Sequence, residues 1–217
     1  MTHQLKNSLM KIFCIGRNYA AHAAELGNKA PGKPMVFMKP PTAILPNNKP
    51  FYYPEYSQDI HFETELVIRI AKNGRHIQPQ FAMDYVGAIG LGLDLTARDL
   101  QNELKAKGHP WEIAKGFDNS APLSKEFFDP DQFIDLNDIE FRMEKNGEEA
   151  QHGHSRNMIF DLTTLICYVS QFFRLQKGDL LFTGTPEGVG PITPGDELVG
   201  FLMTKGGEQE MFRTRVR

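Results

Sequence analysis

The chain has 217 residues, 41% hydrophobic and 24% charged, with 24 Lys+Arg against 27 Asp+Glu for a net charge of −3. That length can bury a sizeable core without staples, and the composition excludes wholesale disorder. The slightly acidic balance excludes a nucleic-acid surface, which is ordinarily basic.

No apolar run is long enough for a membrane span, and Met1-Thr2-His3-Gln4-Leu5-Lys6 lacks the apolar stretch of a secretory leader. The expected setting is therefore cytoplasmic, with no membrane partner. Cys14 and Cys167 both sit among apolar neighbours, which predicts two buried thiols and no disulfide.

Residues 1–10 are expected to form a lead-in and residues 11–217 one domain. Residues 11–15 predict a buried strand stopped by Gly16. The Ala-rich stretch 18–26 predicts a helix stopped by Gly27. Residues 35–39 predict a short strand closed by Pro40-Pro41. Residues 60–71 predict one long strand turned by Asn73-Gly74. Another strand is expected over 86–95. A helix then runs to about residue 107, capped by Thr96 with Asp99 three positions on. Residues 139–145 alternate apolar and charged, and Asn146-Gly147 predicts a type I′ hairpin. Residues 158–173 are apolar on all sides and predict a buried helix. Strands over 179–182, 197–203 and 210–216 complete the chain. Strands outnumber helices and hairpins outnumber crossovers, so the expected class is α+β, predominantly β, with mixed curled sheets.

The strongest chemical signal is His61-Phe62-Glu63-Thr64-Glu65-Leu66. Alternate strand residues share a face, so Glu63 and Glu65 point the same way, with His61 beside them. Two such carboxylates repel unless a hard cation sits between them, although they equally suit the wet face of an amphipathic strand. Asp94 is a lone charge in Leu91-Gly92-Leu93-Asp94-Leu95. A buried carboxylate needs a partner or a metal, although an acid there also favours the dipole of a following helix. Three carboxylates from neighbouring strands would serve an octahedral ion and leave places for water and substrate. His22 and Glu25 lie three apart, so a helix sets them side by side as an oriented base or as an ordinary surface pair. Lys115 lies between Ala114 and Gly116, either partly desolvated beside a developing anion or solvated in a loop. Thr185 lies in a Gly-rich turn whose N–H groups could cradle an anion.

Six motifs occur in order. They are Gly16-Arg17-Asn18-Tyr19 with His22 and Glu25; Phe37-Met38-Lys39-Pro40; His61 to Leu66; Asp94-Leu95-Thr96-Ala97-Arg98-Asp99-Leu100-Gln101; Ala114-Lys115-Gly116-Phe117; and Thr183-Gly184-Thr185-Pro186-Glu187-Gly188-Val189-Gly190-Pro191. Together they resemble the fumarylacetoacetate hydrolase family, most closely its short acylpyruvase and oxaloacetate decarboxylase members. The resemblance implies a barrel-like β-roll, a homodimer and a Mg²⁺ or Mn²⁺ ion on Glu63, Glu65 and Asp94. It implies His22 and Glu25 as the acid/base pair on a lid over residues 18–31, with Lys115 beside the ion. Arg17, Lys39, Arg98, Gln101 and Thr185 would contact a small oxo-acid. The expected reaction is cleavage of an acylpyruvate to pyruvate and a carboxylic acid through an enolate stabilised by the ion. Oxaloacetate decarboxylation and isomerisation of an unsaturated oxo-acid share that enolate. A non-catalytic oxo-acid binder is the alternative outside enzymology.

Overall fold

A computed structural model describes residues 10–25, 27, 31–46 and 49–217. The expected lead-in before residue 10, residue 26 of the first predicted helix and part of the expected lid lie outside the described residues.

In chain order the strands are β1 (Ile12–Gly16), β2 (Met35–Lys39), β3 (Ile44–Leu45), β4 (Ile60–Phe62), β5 (Thr64–Ile70), β6 (Val86–Leu93), β7 (Thr96–Ala97), β8 (Ala121–Pro122), β9 (Glu140–Lys145), β10 (Glu148–His154), β11 (Leu180–Phe182), β12 (Gly190–Pro191), β13 (Glu197–Thr204) and β14 (Gly207–Arg215). The α-helices are α1 (Ala20–Glu25), α2 (Pro79–Ala82), α3 (Arg98–Lys107), α4 (Glu112–Lys115) and α5 (Leu162–Phe172). Strand exceeds helix, as the composition of the predicted elements requires.

Among the described residues four sheets form, and none closes on itself. The largest runs β2-β1-β11-β5-β6, with β1 parallel to β11 and every other pair antiparallel. Both of its faces are covered. Phe13, Ile15, Leu66 and Ile68 enter the main core with α5, while Ile12, Cys14, Val67 and Phe182 enter a smaller core beneath. Burial on both faces is why β1 and β5 read as apolar runs with little alternation. A four-stranded meander runs β10-β9-β13-β14, and β12-β4-β7 and β3-β8 form the small sheets. Asn146 and Gly147 both take positive φ, 57° and 84°, as the predicted type I′ turn between β9 and β10 demands.

Several expectations change. The strand expected over 60–71 is two strands: β4 pairs with β12 and β7, whereas β5 pairs with β11 and β6. The chain changes sheet at Glu63. Asn73-Gly74 is no tight hairpin, because α2 and a 3₁₀ turn intervene before β6. Gly74 instead pairs with Leu175, and Asn73 Oδ1 accepts from Lys177 N at 2.9 Å. Thr96 does not cap α3. It lies in β7, and Asp99 instead accepts from Ser57 Oγ, Gln58 N and Leu100 N at 2.7, 2.9 and 2.8 Å. The helix expected from 158 begins at Leu162, where Asp161 caps it through Thr164 N at 2.7 Å. Both cysteines are free, but Cys167 is only half-buried. Among the described residues no helix is long and apolar enough to cross a membrane.

Candidate active site

Glu63 occupies the junction between β4 and β5, Glu65 the start of β5, and Asp94 the residue after β6. Asp94 N donates to Glu63 O at 2.8 Å, which locks the two junctions together. All three carboxylates are buried, and each offers an oxygen within 4.8 Å of the others. Glu65 also receives Gly184 N on Oε2 at 2.7 Å. The Gly-rich turn thus gives one N–H to a carboxyl group of the chain itself. Gly184 has φ +100°, and a Cβ there would lie 2.6 Å from Asn18 Cβ, so only glycine brings that N–H so close.

Three cations surround the acids. Lys115, at the end of α4, donates Nζ to Glu63 Oε2 at 2.8 Å, Asp94 Oδ2 at 2.7 Å and Thr96 Oγ1 at 2.6 Å. Arg98, opening α3, donates Nη2 to Glu63 Oε1 at 2.5 Å and Nη1 to Gln101 Oε1 at 2.6 Å. Lys39 Nζ lies 2.8 Å from Asp94 Oδ1 and donates to the carbonyls of Leu95, Lys115 and Ser120. Burial pushes the Glu63 carboxyl up, but Lys115 and Arg98 outweigh it and hold it well below the carboxylate range. Glu65 goes the other way: burial, Asp94 and Glu63 all push it well up against the single opposing N–H and the more distant Lys115. Burial works against the Lys115 ammonium, yet Asp94 and Glu63 raise it above the ordinary lysine value. Three buried oxygen donors, one of them short of positive charge, fit a hard divalent cation such as Mg²⁺ or Mn²⁺.

A cavity opens beside this cluster. Its polar wall carries Arg17, His22, Glu63, Arg98, Gln101 and Lys105, and its apolar wall carries Phe37 and Trp111 with Lys115 at the base. Phe37 and Trp111 meet edge to face, with centroids 6.1 Å apart. His22 on α1 is buried, and its Nδ1 lies 3.2 Å from Glu25 Oε2. Glu25 Oε1 in turn accepts Gly188 N at 3.1 Å, pinning α1 to the 183–190 loop. With Nδ1–H given to Glu25, Nε2 is left as the free base of the ring.

Of the eleven residues singled out from sequence, Arg17, His22, Glu63, Arg98, Gln101 and Lys115 line this cavity. Glu65 and Asp94 join through the acid cluster and Glu25 through His22. Lys39 and Thr185 do not line it: Lys39 is fully buried behind Asp94, and Thr185 Oγ1 accepts from Gln151 Nε2 at 2.9 Å. His61 turns away from the acids and bonds Asp59 Oδ1 at 2.9 Å; burial and Arg98 push its pKa down.

Sequence reasoning missed Lys105, the Phe37–Trp111 wall and Gln151. Lys105 could have been found from its spacing, since 98, 101 and 105 fall on one helix face. Gln151 sits on β10, far along the chain, and accepts Thr64 N at 2.8 Å. No local signal marks it.

The family model for the C-terminal domain of fumarylacetoacetate (FAA) hydrolase matches residues 11–211. The chain belongs to the fumarylacetoacetate hydrolase family. It is 47% identical over 186 residues to a mitochondrial oxaloacetate decarboxylase of Dictyostelium discoideum, covering 85% of each chain. It is 42% identical over 187 residues to a mitochondrial oxaloacetate tautomerase of Homo sapiens, covering 86% of this chain and 84% of that one. Among solved structures, fumarylpyruvate hydrolase from Pseudomonas aeruginosa in complex with Mn²⁺ and pyruvate superposes with TM-score 0.87 at 37% identity. That match covers 95% of this chain and 88% of the other. The family and the β-rich fold expected from the motifs are thus both met.

Proposed function

We propose that this chain is a divalent-metal-dependent enzyme for a short 2-oxo-dicarboxylate of the oxaloacetate type, interconverting its keto and enol forms. The observation that carries this reading is the charge of the cavity wall. Lys115 and Arg98 are paired with Glu63 and Asp94, but Arg17 and Lys105 line the same cavity with no ion pair among the described residues, so it favours a dianion over the monoanion of a simple acylpyruvate. The oxaloacetate tautomerase and decarboxylase relatives support the same choice.

Glu63, Glu65 and Asp94 would hold the ion, which when bound polarises the 2-oxo group and stabilises negative charge on its oxygen. The residues of the chain do the rest. Arg98 and Gln101, already bonded to each other, orient the carboxylate next to the 2-oxo group. His22 Nε2 removes a proton from C3, and Glu25 stabilises the resulting imidazolium. The proton returns to the 2-oxo oxygen, so keto and enol differ only in where one proton sits. Lys115 stays protonated beside the site and offsets charge that develops there. Phe37 and Trp111 limit water on the far side.

Cleavage of an acylpyruvate, the route expected from sequence, is the second reading. His22 held by Glu25 could equally activate a water, and the Pseudomonas aeruginosa neighbour is a fumarylpyruvate hydrolase with pyruvate bound. A homodimer and a cytoplasmic setting belong to the same proposal, and sedimentation would test the first.

The deciding experiment follows loss of enol absorbance on adding oxaloacetate with Mn²⁺ or Mg²⁺. We expect accelerated tautomerisation that falls about 10²–10⁴-fold in His22→Asn, the ordinary range for losing a positioned base. Cleavage of acylpyruvates without any effect on the oxaloacetate keto–enol equilibration rate would overturn the reading in favour of hydrolysis.

A further inference from the structure

We infer that Lys105, with Arg17, is the clamp for the distal carboxylate and so sets preference for dicarboxylates over monocarboxylates. The inference rests on the oxo-dicarboxylate reading above and adds the residues that recognise the second charge.

Arg98, Gln101 and Lys105 fall at i, i+3 and i+7 of α3, and all three line the cavity. The first two have partners on the protein and, in the reading above, serve the carboxylate next to the 2-oxo group: Arg98 bonds Glu63 and Gln101. Lys105 is different. Among the described residues its ammonium has no hydrogen bond or ion pair, and neither has the Arg17 guanidinium. Both are half-buried on the wall of one cavity. Helix-end electrostatics do not explain the placement. The last turn of α3 also carries Lys107, which faces solvent and pairs with Glu103 at 2.6 Å. Lys105 instead turns toward two other cations. Burial, Arg17 and Arg98 together push its pKa below the ordinary lysine value, a cost that a carboxylate between these groups would relieve. Arg17 holds its place through a left-handed backbone, φ 57°, which few non-glycine residues adopt. Backbone strain beside an unpaired guanidinium suits a ligand contact better than a packing role. Glu63 and Lys115 mark the end where the 2-oxo acid group reacts. Lys105 and Arg17 are the remaining cations of the wall, available to the far end of the same ligand.

The test compares two unreactive ligands that differ by one carboxylate, L-malate and L-lactate, bound to the Mn²⁺-supplied protein by calorimetry. The unsubstituted protein is expected to bind malate at least about tenfold more tightly than lactate, as a charge-assisted contact implies. Lys105→Met and Lys105→Gln are each expected to shrink that ratio by about tenfold with little change for lactate, whereas Lys105→Arg keeps it. Circular dichroism melts confirm folding, and the two neutral variants serve as alternatives if one misfolds. An unchanged ratio in the neutral variants, or no preference for malate in the unsubstituted protein, would overturn the inference. If the ratio behaves as expected while oxaloacetate is not tautomerised, the reaction proposed above falls and the clamp stands.

Discussion

Lys115 holds Glu63 and Asp94 together through one ammonium that is itself buried. Without it, the acid cluster keeps three carboxylates and loses the cation that spans two of them. Removing one partner of a buried ion pair costs about 3–5 kcal/mol, because the remaining charge is stranded away from water. Lys115→Met is therefore expected to destabilise the chelator-treated protein by roughly that amount in urea unfolding. Arg98 and Lys39 each still reach one acid, so the lower end of the range applies. Mn²⁺ should restore most of the loss, since the ion supplies positive charge where the ammonium did. Equal destabilisation with and without Mn²⁺ would show that Lys115 acts through packing alone. The same residue bears on how the ion enters: the three acids do not form an empty cage, and the ion must compete with an ammonium for Glu63 and Asp94.

Among the elements, α3 positions more of the site than any other, and its start is fixed by Asp99. Three donors converge on that carboxylate: Ser57 Oγ, Gln58 N and Leu100 N. Burial pushes Asp99 up, but these hydrogen bonds outweigh it and hold its pKa below the ordinary aspartate value. A depressed carboxylate stabilises the fold above its unfolded pKa, about 3.9, and that contribution disappears as pH falls through the lower folded value. Asp99→Asn should thus cost about 1–2 kcal/mol at pH 7, because charge-assisted bonds become neutral and an amide donor faces other donors. The gap between the two proteins should be constant above about pH 5, narrow below pH 4 and close in stronger acid. A gap that does not change with pH would rule out the charge as its source.

The same helix shows what could be read from sequence at this scale. The end of the helix at about residue 107 was legible because its stop, Gly108 in the αL region, is local, whereas Arg98 and Gln101 came only with the family resemblance. The start was misjudged because Thr96 and Asp99 match a capping pattern, while their actual partners, Lys115 and the 57–58 segment, are brought in by tertiary structure. The break at Glu63 is a similar case. β-Prone residues over 60–71, with no Gly or Pro among them, give no local reason to change sheets; the reason is pairing with β12 on one side and β11 on the other. Glu63 and Glu65 still converge, but the alternation argument does not apply across a strand boundary. The acids, His22, Glu25 and Lys115 were legible as an ordered set of motifs, whereas Lys105 and Gln151 required the fold.

In the whole molecule, the acids sit where separate sheets meet. Glu63 ends a strand of the three-stranded sheet, Glu65 and Asp94 belong to the five-stranded sheet and its exit, and Gln151 reaches in from the four-stranded meander. Gln151 bonds both Thr64 N and Thr185 Oγ1, so the meander is tied to the strand that carries Glu65 and to the loop that gives it an N–H. An ion bound to the three acids would join residues from both sides of the sheet boundary, and unfolding would have to release it. A ligand that binds only the folded state stabilises it by about 2.7 kcal/mol at a hundredfold excess over Kd. For a chain of this size each kcal/mol moves the melting midpoint by roughly 2–4 °C. Mn²⁺ at that excess should therefore raise the midpoint by about 5–11 °C in one cooperative transition. Glu65→Gln and Asp94→Asn should abolish most of the rise. Lys105→Met, which leaves the acids intact, should keep it. A rise of equal size in Glu65→Gln and Asp94→Asn would place the stabilising ion elsewhere, and no rise in the unsubstituted protein would remove the ion from the site altogether.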